Sequence, residues 1–191
     1  MIEIRIHGRG GQGNVVAAYL LATAAIEEGR YGQAFPAFGA ERRGAPVVAF
    51  TRIADQPIRR RCQVREPAFL IIQDQALLQV PGVTDGLQPG GRILVNSSRP
   101  SAELCAELRK EVVALPATAL ANQILGRPVP NTALLSAFLT LTEILPREAL
   151  VRSLGGRFKG AVLERNTQLI EAAAQQVEAG GWKETAYAQS A

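Results

Sequence analysis

A chain of 191 residues, 47% of them hydrophobic, is long enough to bury a substantial core, and its length favours one domain. Aromatic residues make up only 5%, which argues against a nucleic-acid surface built on stacking platforms; a net charge of +4, carried by arginine, admits anionic partners without demanding one. The two cysteines, Cys62 and Cys105, stand far apart with no C-x-x-C pair, so the sequence offers no zinc or iron–sulfur ligand set of its own.

No basic stretch followed by an apolar core opens the chain, and no run of roughly 18 apolar residues occurs. The expectation is a cytoplasmic, reduced, soluble protein with no membrane partner. Ile2-Glu3-Ile4-Arg5-Ile6 alternates with period two, as a strand over 2–7 should. Gly8-Arg9-Gly10-Gly11-Gln12-Gly13 follows, and Gly8, Gly10 and Gly13 fit G-x-G-x-x-G. A helix over 14–28 comes next, so the glycines lie where a strand turns into a helix. Glycine permits positive φ there, and the helix start offers unpaired N–H groups. His7, the sole histidine, reads as a structural residue beside this turn rather than a base.

A second short strand is expected over 30–35. A dinucleotide site wants an acidic residue at its end to hold a ribose, and this chain has Ala34-Phe35-Pro36. A free-standing NAD(P)-dependent oxidoreductase is the alternative reading that this absence disfavours. Residues 36–46 read as a loop carrying Glu41, Arg42 and Arg43, and 47–53 as a strand. Ala54-Asp55-Gln56-Pro57 reads as a turn and Arg59-Arg60-Arg61 as a solvated edge.

Residues 68–73 form a continuous apolar run, the pattern of a central parallel strand, with Asp74 as N-cap of a short helix over 75–80. Further elements are a strand over 92–96, a helix over 101–109 capped by Ser101, a strand over 111–115 and a helix over 117–125. After them come a helix over 132–144 capped by Asn131, a short helix with Pro146 in its first turn, and an amphipathic helix over 158–178. That last helix would turn Val162, Leu163, Leu169, Ile170 and Val177 inward. Alternating strands and helices point to an α/β fold. The expected architecture is a three-layer, mostly parallel Rossmann-like sheet with helices on both faces and a helical C-terminal part. A single α/β domain would cover 1–181, and 182–191 would be a flexible tail.

Several ordered motifs resemble the gamma subunit, or third domain, of the 2-oxoacid:ferredoxin oxidoreductases. They are the Gly8–Gly13 turn; Phe38-Gly39-Ala40-Glu41-Arg42-Arg43-Gly44; Arg52-Ile53-Ala54-Asp55-Gln56-Pro57-Ile58; Pro67 to Asp74; and Leu87 to Asn96. Pro116-Ala117-Thr118-Ala119-Leu120-Ala121, the helix led by Asn131, and Lys159 with Asn166 complete the set. Ala40, Arg42, the pair Gly44-Ala45 and Leu135-Ser136-Ala137 depart from the family pattern and leave the substrate open.

The resemblance implies one subunit of an enzyme that oxidatively decarboxylates a 2-oxoacid to an acyl-CoA and passes the electrons to ferredoxin or NAD. It places thiamine diphosphate and magnesium on the alpha and beta subunits, and [4Fe-4S] clusters on a ferredoxin-like delta subunit. No catalytic residue and no metal is expected on this chain. Arg9, Gly10, Gly11, Gln12 and Gly13, with Arg42 and Arg43, are the residues expected to meet either coenzyme A or a neighbouring subunit.

Overall fold

The structure is a computed structural model that describes residues 1–37 and 45–188. Six strands build one sheet: β1 (Ile2–Arg9), β2 (Tyr31–Pro36), β3 (Pro46–Ala54), β4 (Phe69–Ile72), β5 (Arg92–Asn96) and β6 (Glu111–Leu115). Their order across the sheet is β2-β3-β1-β4-β5-β6. β1, β4, β5 and β6 run parallel to one another. β3 runs against both β1 and β2. The sheet is therefore mixed and mostly parallel. In a dinucleotide-binding half the strand after the first helix lies beside the first strand. Here β3 is inserted between the two.

The helices are α1 (Asn14–Glu27), α2 (Ser101–Leu108), α3 (Ala117–Leu125), α4 (Asn131–Thr142), α5 (Arg147–Gly155), α6 (Gly160–Ala174) and α7 (Lys183–Ala188). Alternation along the strands feeds two separate cores, since successive side chains point to opposite faces. Ile4, Ile6, Phe69, Ile71 and Leu94 pack with Ala17, Leu20, Leu21 and Ala24 of α1 and with α4. Leu70, Ile72, Ile93 and Val95 pack on the other face with Leu77 and with Leu104 of α2. Helices thus lie on both faces, as expected. Every residue of α4 is buried, so this helix is the pivot of the helical C-terminal part.

The second face of β1 is polar and still buried: Glu3, Arg5 and His7 are each under a tenth exposed. Coil segments cover it in place of a helix. Arg52 of β3, 1% exposed, donates from Nε to Glu3 at 2.6 Å and from Nη2 to the Cys62 carbonyl at 2.7 Å. Arg5 donates to the carbonyls of Val83 and Asp85. The carbonyl of Arg60 accepts from Gln33, so the arginine triplet lies along this cover while its side chains stay exposed.

Several boundaries differ from the sequence expectation. The segment after Asp74 is a 3-10 helix over Gln75–Gln79, and Asp74 does cap it by accepting from the Ala76 N–H. Ser101 is not a cap: Pro100 holds that position, and the Ser101 hydroxyl accepts instead from the Ala114 N–H of β6. Asn131 is the first residue of α4 rather than its cap, because its side chain is drawn to the Gly13 carbonyl. Pro146 is likewise the N-cap of α5. The helix expected over 158–178 is α6, which ends earlier, at Ala174, with Val162 about half exposed and Val177 beyond its end. Residues 182–188 are not loose. Trp182 is buried, stacks on Phe69 and donates its backbone N–H to the Leu141 carbonyl. One large aromatic side chain found space in the core, and α7 followed it.

Candidate functional site

The connection from β1 leaves through α1 towards β2, whereas β4 leads across to β5 on the opposite side. The carboxyl ends of β1 and β4 therefore flank the point where the winding reverses. In open α/β sheets that crevice is where ligands gather. The glycine turn sits at this crevice.

The turn is held by its own groups. The Arg9 N–H donates to Gln12 Oε1 at 2.8 Å, and the Gln12 N–H donates to the Arg9 carbonyl at 3.0 Å. Gly10 donates to the Ala45 carbonyl at 3.2 Å. Gly11 is exposed, and left-handed φ falls on Gly11 and Gly13 at 96° and 77°. Gly13 is the N-cap of α1 and supplies no side-chain acceptor to the helix start. Asn131 donates to the Gly13 carbonyl at 3.3 Å and ties the turn to α4.

Arg9 crosses the crevice. Its Nε lies 2.6 Å from Asp74 Oδ2, with the two side chains 34% and 22% exposed. The structure thus gathers Arg9, Gly10, Gly11, Gln12 and Gly13 in one place and adds Asp74 and Asn131 to them. Arg42 and Arg43 lie outside the described residues. His7 ends the buried polar row on β1. Its Nε2 accepts from Arg5 Nε at 2.9 Å, and burial, with the Arg5 charge second, pushes its pKa down to about 3. It is neutral near neutrality and has the structural part expected of it.

Beside the turn, the carboxyl ends of β4, β5 and β6 enclose a cavity of about 470 Å³, whose polar lining includes Gln12, Gln73, Asn96, Ser97 and Thr118. Asn96 is fully used: it donates to the Gln73 carbonyl and to Thr118, and its Oδ1 accepts from the Thr118 N–H. Gln73 passed unnoticed in the sequence, although a signal existed. A polar residue directly after each buried apolar strand, Gln73 after β4 and Asn96 closing β5, marks the strand ends that face a crevice.

A second cavity, of about 350 Å³, opens on the far side of Asn131 and is mainly apolar, with Val16, Leu20, Phe158 and Val162 in its wall and Arg127 and Arg165 beside them. Cys62 is exposed in coil, and Cys105 is held against Val112 of β6. Among the described residues no three His, Cys, Asp or Glu side chains converge in a way that would hold a metal ion.

The family model for pyruvate ferredoxin/flavodoxin oxidoreductase matches residues 3–176. The chain is 47% identical to the pyruvate/ketoisovalerate oxidoreductases common subunit gamma of Thermococcus kodakarensis, covering 91% of this chain and 95% of that one. It is 43% identical to the pyruvate synthase subunit PorC of Methanothermobacter marburgensis, covering 95% of this chain and all of that one. The crystal structure of the pyruvate oxidoreductase subunit PORC from Thermotoga maritima superposes with a TM-score of 0.83 at 35% identity, over 93% of this chain and 97% of that one.

Proposed function

The chain belongs to the pyruvate ferredoxin/flavodoxin oxidoreductase family, as the gamma subunit of a multi-subunit 2-oxoacid:ferredoxin oxidoreductase, and from that premise we propose that its own share of the work is assembly. The Gly8–Gly13 turn, and apart from it the apolar side chains exposed along α1 and at the start of β2, seat the alpha and beta subunits, which carry thiamine diphosphate and magnesium. A ferredoxin-like delta subunit carries the [4Fe-4S] clusters; the two separated cysteines of this chain do not fit a cluster of their own. Coenzyme A is the co-substrate, and the complex works in the cytoplasm.

One observation carries the interface reading over direct phosphate binding. Arg9, the described arginine of the turn, is already paired with Asp74. A phosphate at this arginine would share the guanidinium with that carboxylate, and the carboxylate would repel the phosphate. What the turn offers outward is shape: exposed Gly11 on a turn bonded within itself. Tyr19 and Ile26 on α1 and Tyr31 on the edge strand β2 are each about half exposed, which adds apolar area for a partner.

Arg9→Ala, alone and with Arg43→Ala, tests this in the assembled enzyme. The interface reading expects gel filtration to show a loosened complex, more so at high salt, with an unchanged apparent KM for coenzyme A in the complex that survives. An intact complex with a raised KM for coenzyme A would assign the turn to the co-substrate instead.

A further inference from the structure

Arg5 and His7 stand side by side on the coil-covered face of β1, 9% and 6% exposed. Arg5 donates to neutral groups only: from Nε to His7 Nε2 at 2.9 Å, and from Nη2 to the carbonyls of Val83 and Asp85 at 3.0 and 2.6 Å. Among the described residues no carboxylate forms an ion pair with it, whereas the buried Arg52 of β3 has Glu3 at 2.6 Å. Two donors are left over. Arg5 Nη1 has no hydrogen-bond partner among the described residues. His7 Nδ1 has none either, and it is the nitrogen to which the network assigns the proton of the neutral ring, because Nε2 accepts. Neither nitrogen is sealed: among the described residues, the buried side-chain atoms closed to water and without a partner are the two amide atoms of Gln73 and Arg147 Nε. Both residues line one cavity of about 350 Å³ between β1, β3 and the coil that covers them. That volume lies within the range of small-molecule sites, roughly 300–1,000 Å³.

We propose that this cavity binds a small monocarboxylate with a short apolar body, whose carboxylate accepts from Arg5 Nη1 and His7 Nδ1. The inference goes beyond the assembly role, because it concerns the covered face of β1 rather than the turn or the exposed side chains of α1.

Three features select that chemistry. The first is charge. A buried guanidinium without a counter-ion is costly, and burial pushes the Arg5 pKa down, with the Asp85 charge opposing this as the lesser effect. The second is the pair of donors. A carboxylate is an acceptor only and carries two oxygens, so one group can complete both nitrogens. The third is the rest of the wall. Val48, Phe50 and Val64 offer apolar contact to the body of the ligand, and exposed Arg65 adds a second cation. Asp85 sets an upper limit on the charge. It gives Arg5 its backbone carbonyl rather than its carboxylate, and that carboxylate, on the same wall, opposes a dianion about twice as strongly as a monoanion. A carboxylate therefore fits better than a phosphate.

His7 is the sole histidine, so its ring resonances report on this cavity without assignment. The test follows them in the full-length chain at pH ~7, where small carboxylic acids are ionised. Isobutyrate is titrated in, with its neutral isostere isobutyramide and inorganic phosphate as parallel probes. Isobutyrate is expected to shift the ring resonances saturably and to raise the melting temperature, and the other two to bind at least about tenfold more weakly. Arg5→Met is expected to abolish the saturable shift. Asp85→Asn, which removes the opposing charge, is expected to tighten binding. Should Arg5→Met misfold, Gln63→Trp fills the cavity from its exposed wall and is expected to weaken binding by about tenfold or more. Isobutyramide as effective as isobutyrate would overturn the proposal in favour of a neutral acceptor, and phosphate as effective would overturn it in favour of a general anion site. No saturable shift with isobutyrate, or a shift that persists unchanged in folded Arg5→Met or Gln63→Trp, would overturn it in favour of water as the partner of both nitrogens. Weaker binding in Asp85→Asn would count against it as well.

Discussion

His7 shows how one buried side chain makes stability depend on pH. Its imidazole is neutral because it is buried and, second, because the Arg5 charge lies beside Nε2, which accepts from Arg5. In the unfolded chain it takes up a proton around its ordinary value of 6.5, whereas in the fold it does so only near 3. The folded pKa is depressed, so between these values the unfolded state binds more protons, and stability falls as pH falls. The loss starts below the unfolded value and amounts to about 2 kcal/mol by pH ~5, before most carboxylates titrate. Denaturant melts between pH ~7 and ~5 are expected to show this slope, and His7→Gln to flatten it. An equal slope in the variant would place the pH dependence elsewhere. The sequence placed His7 beside the turn as a structural residue. It did not reveal the cause, since the Arg5 contact and the coil cover over β1 are set by residues far along the chain.

At the scale of elements, two glycines fix how α1 sits. Gly13 has a φ of 77°, and a Cβ there would lie 2.7 Å from Asn131 Nδ2. Gly13→Val is expected to cost about 2–3 kcal/mol through backbone strain and the lost tie to α4. It should lower the urea midpoint with an unchanged m-value. Gly32 is tighter still: a Cβ would fall 2.2 Å from the Ala22 carbonyl, backbone against backbone. Gly32→Ala is expected to cost about 2 kcal/mol or more, because α1 must lift from β2. A midpoint within error of wild type for either variant would show that the helix tolerates displacement. The Gly13 turn was legible, because strand, glycines and helix follow one another within a short window. The Gly32 contact was not, since it depends on how closely α1 crosses a strand. The buried strand β4 was legible from its unbroken apolar run. The place of β3 was not, because an antiparallel strand slipped between β1 and β2 leaves no mark in local periodicity. Trp182 misled for a related reason: a Gly-Gly pair reads as a stop, whereas the Gly180 N–H donates to the Thr140 carbonyl and leads the chain back into the core.

At the scale of the whole molecule, the fold places a self-satisfied glycine turn, an apolar cavity and half-exposed Tyr19, Ile26 and Tyr31 on a subunit of a larger enzyme. The family was legible because its motifs are ordered along nearly the whole chain. The polar cavity around Gln73 was not, because its lining comes from strand ends that are adjacent only in the sheet. If this chain contributes assembly rather than bond chemistry, turnover must belong to the complex. The most direct measurement is to purify the tagged chain from its native cells, size the product by gel filtration, and assay 2-oxoacid-dependent ferredoxin reduction before and after the subunits are separated. The predicted result is a larger assembly that contains thiamine-binding subunits and turns over, while the isolated chain shows no oxoacid oxidation and no bound thiamine. A lone chain that sustains turnover by itself would contradict the assembly role.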